Sequence, residues 1–283
     1  GTPEFDLFIK EVHREMTAKA GQKCTAIRRI FAPAAQTEAV IEALKLRLSK
    51  TVIGNPRSES VRMGALVSND QKADLLEKVA LFRTEAQCVH GEGDFDVLDA
   101  DASKGAFVPQ MLFHCATPDD ANRLHDTEAF GPVSTVMEYR DLDHAIELVN
   151  RGGGSLVTSL ITHSGDVARE VVLGAAAFNG RIYINNRDSM KEATGHGSPL
   201  PHMVHGGPGR AGGGEELGGI RGVMHYMQRT AIQGSPDILS AIGNKWVPNA
   251  IENDDNSHPF TRTFHDLTIG DTLHTKSRTV TLD

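Results

Sequence analysis

Val133-Ser134-Thr135-Val136-Met137-Glu138-Tyr139 reads as a strand, and the residues after it decide the fold class. Asp141 to Asn150 has helical spacing, Leu156 to Thr162 is strand-like, Asp166 to Ala177 helical, and Arg181 to Asn185 a strand again. Strands separated by single helices of this length imply βαβ units and a mainly parallel sheet, so the fold class is α/β. Working outward, Ala106 to Phe113 and Ile27 to Ala32 read as further strands. Gln36 to Lys50 sets Val40, Ile41, Leu44 and Leu48 on one helical face. Ser68 and Gln71 fit a capping box ahead of Leu75, Leu76, Val79 and Phe82. At the start, Thr2 is placed to cap a helix opened by Pro3, with Phe5, Ile9, Val12 and Met16 on its apolar face and Gly21 ending it. Met227 to Ile232 reads as a short strand at a sheet edge.

Composition narrows the function. Across 283 residues there are 29 basic and 37 acidic side chains, a net charge of −8. This balance argues against a nucleic-acid or anionic-membrane partner. No apolar run approaches the ~18 residues of a membrane span. Cys24, Cys88 and Cys115 cannot all pair, and none lies in a C-x-x-C. A reducing, cytoplasmic location is expected, with no cysteine zinc site. His202 and His205 have helical metal-ligand spacing, but Pro199, Pro201 and the flanking glycines deny the helix, so no metal is expected. Gly207 to Gly212 spells G-x-G-x-x-G without a strong strand before it or a helix after it, which favours a substrate-side loop over a dinucleotide fingerprint.

The length suits about two domains at ~150 residues each. The chain lacks an initiator methionine and opens inside a helix, as expected for part of a longer protein. Residues 1–245 read as the main unit and 246–257 as a solvated linker containing Glu252, Asp254 and Asp255. Residues 258–283 read as the start of something new, with Phe260, Phe264 and Leu267 before a Gly270-Asp271 turn. That is too little chain to bury a core of its own.

The chemistry points to Ala20-Gly21-Gln22-Lys23-Cys24-Thr25-Ala26. A glycine breaks a helix and a cysteine stands on the turn before a strand. Such a thiol can face a cleft, and Lys23, Arg28 and Arg29 nearby would favour the reactive thiolate. Taken alone, the same residues also fit a buried structural cysteine, because free cysteine packs as a small hydrophobe.

Gly21 to Ala26 resembles the nucleophile signature of the aldehyde dehydrogenase superfamily. Gly54-Asn55-Pro56 with Met63-Gly64-Ala65-Leu66, then Glu128-Ala129-Phe130-Gly131-Pro132-Val133, and then the glycine-rich Gly206 to Gly218 resemble further motifs of that family, in order. The run from Gly195 through Pro201, and that from His205 through Gly218, are similar to a bifunctional ring-opening branch. In that branch an aldehyde dehydrogenase is fused to a MaoC-like hydratase of hot-dog fold, whose opening residues 258–283 resemble.

The resemblance implies that Cys24 attacks an aldehyde and that a thioester forms as hydride leaves to NADP or NAD. It implies Glu128 and Phe130 as cofactor-binding residues, one for a ribose hydroxyl and one beside the nicotinamide. Gln71 aligns with a cofactor-contacting glutamine, but Asp74 stands where the family has lysine, so Gln71 is assigned to the helix cap alone. The family's water-activating glutamate and oxyanion asparagine would fall before Gly1, as would its dinucleotide-binding half. His205 lies where a residue of the aldehyde tunnel would be. The implied substrate is a CoA-linked semialdehyde, with oxepin-CoA hydrolysis in the second domain as part of aerobic phenylacetate degradation. A homo-oligomer assembled through both domains is also implied. The rival readings are a dehydrogenase for another CoA-linked semialdehyde, of the benzoyl-CoA type, and a non-catalytic oligomerisation module.

Overall fold

Seven strands fall into two sheets in the computed structural model, which describes residues 1–197, 206–212 and 226–251. The first sheet has the order β1-β4-β3-β2, from β1 (Arg29–Pro33), β2 (Gln87–His90), β3 (Met111–Cys115) and β4 (Val133–Tyr139). β4 runs parallel to both β1 and β3, while β2 is an antiparallel edge with a register irregularity between Cys88 and His90. The second sheet is parallel throughout, in the order β5-β6-β7, from β5 (Ser155–Ile161), β6 (Asn179–Asn185) and β7 (Ala231–Gln233).

Side-chain alternation explains how the first sheet is covered. Met111 and Phe113 face one side, where they join Leu75, Val79 and Phe82 of α3 (Asn69–Phe82). Leu112 and Val136 face the other, against Ile9, Val12 and Met16 of α1 (Pro3–Thr17) and Val40, Leu44 and Leu48 of α2 (Thr37–Leu48). A period of two sends neighbours to opposite faces, and each such buried apolar side chain contributes about 1.5–3 kcal/mol. Leu76, expected on the apolar face of α3, is exposed instead. In the second sheet, Ala168 and Val172 of α6 (Gly165–Ala175) pack on Ile182 and Ile184, together with Ile238 and Ile242 of the helix Pro236–Gly243.

The expected caps are present. Thr2 Oγ1 accepts from the Phe5 N–H at 3.2 Å, and Ser68 Oγ accepts from the Gln71 N–H at 3.2 Å. Asp141 caps α5 (Leu142–Asn150) through the His144 N–H at 2.8 Å.

The sequence pattern departs from the structure elsewhere as well. β3 starts at Met111 and not at Ala106, because Pro109 has no N–H to give a ladder. β4, α5 and β5 do not form one βαβ unit; α5 leads from the first sheet to the second. Gly152-Gly153-Gly154 makes that exit, with φ of +66° at Gly153 and +125° at Gly154, and a Cβ on Gly154 would overlap the Pro208 carbonyl. The strand expected at Met227 starts only at Ala231, and it does lie at an edge.

Candidate active site

Three successive residues of positive φ present Cys24. α1 ends in a 3-10 turn, Ala18–Gly21, where Lys19, Ala20 and Gly21 have φ of +54°, +51° and +67°. Such conformations cost non-glycine residues about 1–2 kcal/mol each, so the surroundings must hold them. The Gln22 N–H donates to the Lys19 carbonyl at 3.0 Å, and the Ala26 N–H to the Lys23 carbonyl at 3.1 Å. Cys24 sits within that second turn with its side chain exposed. Gly21 cannot be replaced simply, since a Cβ there would run into the Gly131 carbonyl. The turn that carries Cys24 and the loop that carries Glu128 therefore meet backbone to backbone.

Cys24, Glu128 and Phe130 line one cleft of about 700 Å³, whose walls also include β1, β5, His125 and His196. The three sequence-chosen residues are thus brought together. The Glu128 carboxylate is 44% exposed, with Oε1 held by Arg28 Nε at 3.3 Å. Phe130 also borders a second cavity, of about 660 Å³, shared with Gln22, Pro56, Met63, Gly64 and Gln71. Gln71, assigned above to the cap alone, gives its backbone N–H to the capping Ser68 Oγ and also lines this cavity. Gln22 ties the Cys24 turn to it, because Gln22 Oε1 accepts from the Val67 N–H at 2.8 Å.

The three cations expected to favour the thiolate have other engagements. Lys23 Nζ lies 2.5 Å from Glu15 Oε2, on α1. Arg29 donates to the Leu148 and Val149 carbonyls at 2.7 and 3.0 Å, closing the C-terminal end of α5. Burial, with Arg210 nearby, pushes Arg29 down to about 10. Arg28 bridges the two loops.

His196 went unnoticed as a functional residue in the sequence, although it stands in the Gly195–Pro201 run. It is buried, with Nδ1 2.5 Å from Ser159 Oγ, and it lines the cleft together with Cys24 and Thr25. Burial, then Arg181, holds the ring down at about 3, so it stays neutral. Arg181 in turn donates to the His196 carbonyl. Burial raises the Cys88 and Cys115 thiols, and Cys115 is only 1% exposed.

Gly207 to Gly212 contains only a 3-10 turn, Gly209–Ala211, which does not supply the strand, tight turn and helix of a dinucleotide fingerprint. No group of three potential metal ligands occurs among the described residues, and no helix there is long and apolar enough to cross a membrane. His202, His205 and the start of the second domain at 258–283 lie outside the described residues.

The chain has known counterparts. The profile of the aldehyde dehydrogenase family matches residues 3–232, and the chain belongs to that family. It is 52% identical over 220 residues to Protein MaoC of Klebsiella aerogenes, covering 77% of this chain and 64% of that protein. It is 47% identical over 211 residues to 3,4-dehydroadipyl-CoA semialdehyde dehydrogenase of Aromatoleum evansii, covering 74% of this chain and 41% of that one. Among solved structures it is similar to γ-glutamyl-γ-aminobutyraldehyde dehydrogenase from Burkholderia cenocepacia, with a TM-score of 0.63 and 26% identity over 75% of this chain and 40% of that chain. The chain thus spans less than two thirds of the length of each of these relatives.

Proposed function

We propose that this chain supplies the nucleophile and part of the cofactor site for NADP- or NAD-dependent oxidation of a CoA-linked semialdehyde to its carboxylate. The observation that carries the reading is the meeting of an exposed Cys24 with Glu128 and Phe130 at one cleft. The cofactor fits the residues present. Glu128 keeps Oε2 without a partner among the described residues, and an ionised carboxylate is a strong acceptor for a ribose hydroxyl. Phe130 offers an aromatic wall beside it. When bound, the nicotinamide cofactor takes up the hydride that the aldehyde carbon gives up.

The chain's own part is nucleophilic. The Cys24 thiolate adds to the aldehyde carbon, and the family resemblance assigns the Cys24 backbone N–H to the oxyanion. Loss of hydride leaves a thioester on Sγ. Water then adds to the thioester, the C–S bond breaks, and carboxylate and free thiolate are released. The family resemblance assigns activation of that water to a glutamate before Gly1.

The 52% identity to Protein MaoC supports a bifunctional protein whose second domain, beginning at 258–283 after the 246–257 linker, hydrolyses oxepin-CoA in phenylacetate breakdown. Cytoplasmic location and homo-oligomerisation through both domains belong to the same reading. The 47% identity to 3,4-dehydroadipyl-CoA semialdehyde dehydrogenase favours a second one, in which another CoA-linked semialdehyde is the substrate. Comparing kcat/KM of the full-length protein for the two CoA semialdehydes decides between them. A higher value for the dehydroadipyl substrate would overturn the first.

A further inference from the structure

Arg28 follows Cys24 by four residues, and its guanidinium lies between the two loops that meet at the cleft. Nη2 donates to the Gly21 carbonyl at 2.8 Å and, more weakly, to the Lys23 carbonyl at 3.4 Å. Nη1 donates to the Gly131 carbonyl at 2.6 Å, and Nε to Glu128 Oε1 at 3.3 Å. The guanidinium carbon lies 5.4 Å from the centroid of the Phe130 ring. One planar group therefore grips the Cys24 turn at two carbonyls just before the cysteine, and also the carboxylate, the ring and the backbone of the facing loop. A lysine could not do this, because an ammonium is a single point with three donors on a flexible stem, whereas the guanidinium holds five donors in a fixed fork.

The fold does not need this side chain to keep the two loops attached. Behind them, β1 and β4 are joined by their own ladder, and the Thr135 N–H donates to the Arg28 backbone carbonyl at 2.9 Å. At the cleft, the last few residues on each side meet at the guanidinium. Burial of Arg28 is compensated there by three carbonyls and a carboxylate, the partners that a desolvated cation requires. The pairing with Glu128 occupies one carboxylate oxygen and leaves the other free among the described residues.

We propose that Arg28 is a positioning residue that fixes the Cys24 turn relative to Glu128 and Phe130, and so sets the geometry between the thiol-bound carbon and the hydride acceptor. The proposal rests on the function proposed above. A displacement of about 1 Å between reacting groups can cost about 100-fold in rate, which sets the expected effect. The substrate's binding surface would be little changed.

The test uses the full-length protein and its Arg28→Ala, Arg28→Lys and Cys24→Ser variants, with aldehyde protiated or deuterated at the reacting carbon. In Arg28→Ala, single-turnover hydride transfer is expected to fall about 100-fold, with the aldehyde KM within a few-fold and the isotope effect retained. Added guanidinium at millimolar concentration should recover about a tenth of the lost rate or more, as it refills the vacated fork. Arg28→Lys should stay close to Arg28→Ala, and serves as the reading if the alanine variant does not fold. Unchanged hydride transfer in Arg28→Ala, full activity in Arg28→Lys, or a loss that guanidinium does not relieve would overturn the proposal. Oxidation surviving in Cys24→Ser would instead overturn the reading beneath it, whatever the Arg28 variants do.

Discussion

Cys24 differs from Cys88 and Cys115 in its backbone setting more than in its chemistry. It stands on a turn forced outward by three residues of positive φ, whereas the other two lie on strands where burial raises their thiols. Labelling with a small electrophile should therefore modify Cys24 well before the others, and equal labelling of all three would favour the non-catalytic module. In the full-length protein, Cys24→Ser should abolish aldehyde oxidation, because an alcohol stays protonated where a thiol can ionise. Oxidation within about tenfold of wild type would exclude Cys24 as nucleophile. Glu128→Gln should slow hydride transfer more than it weakens cofactor binding; a raised Kd with unchanged hydride transfer would remove its orienting role. Cys24, Glu128 and Phe130 were legible because each lies in a short motif of fixed order. Arg28 was legible only as a charge near the thiol. That it reaches Gly131 and Glu128, about a hundred positions away, follows from β1 lying beside β4, which local spacing does not encode.

At the scale of elements, the segment leading to Glu128 is held by a carboxylate from another element. Glu85, just before β2, accepts from the N–H groups of Asn122, Arg123 and Leu124 at 3.0–3.1 Å, capping the short helix α4 (Arg123–Asp126). Burial raises the Glu85 carboxyl, but these three bonds together outweigh it and leave it below its ordinary value of 4.5. A depressed carboxyl stabilises the fold above its unfolded value and loses that contribution as pH falls through the folded one. Glu85→Gln should thus cost about 1–3 kcal/mol at neutral pH, and the gap to wild type should narrow as pH drops below 4.5. Urea midpoints of both proteins across that range are the check, and a gap independent of pH would contradict the assignment. Ser68→Ala should cost about 1 kcal/mol through the α3 cap. Capped amphipathic helices and β4 were readable because their signals are local. β2 was not, since Gln87–His90 is four residues of mixed polarity, completed as a strand only by its partner β3.

For the whole molecule, the alternating pattern gave the α/β class but not the division into two sheets. That division depends on the exit through Gly153 and Gly154, where the chain leaves the first sheet and starts the second. The cleft follows from the division, because β1 belongs to one sheet and β5 to the other, and both line it. Expressed by itself, the 283-residue chain should reduce neither NADP nor NAD with simple or CoA-linked aldehydes. The resemblance places the water-activating glutamate and oxyanion asparagine before Gly1, and a single lost oxyanion donor can already cost ~100- to 1,000-fold. Cofactor reduction at about a hundredth of the full-length rate would contradict this. The most direct measurement is an acid quench of the full-length protein during turnover of a CoA-linked semialdehyde with NADP, followed by mass spectrometry of its cysteine peptides. The expected result is the acyl mass on Cys24 alone, absent when cofactor is withheld. Turnover at full rate with no acyl group on Cys24, or with the acyl group on Cys88 or Cys115, would contradict it.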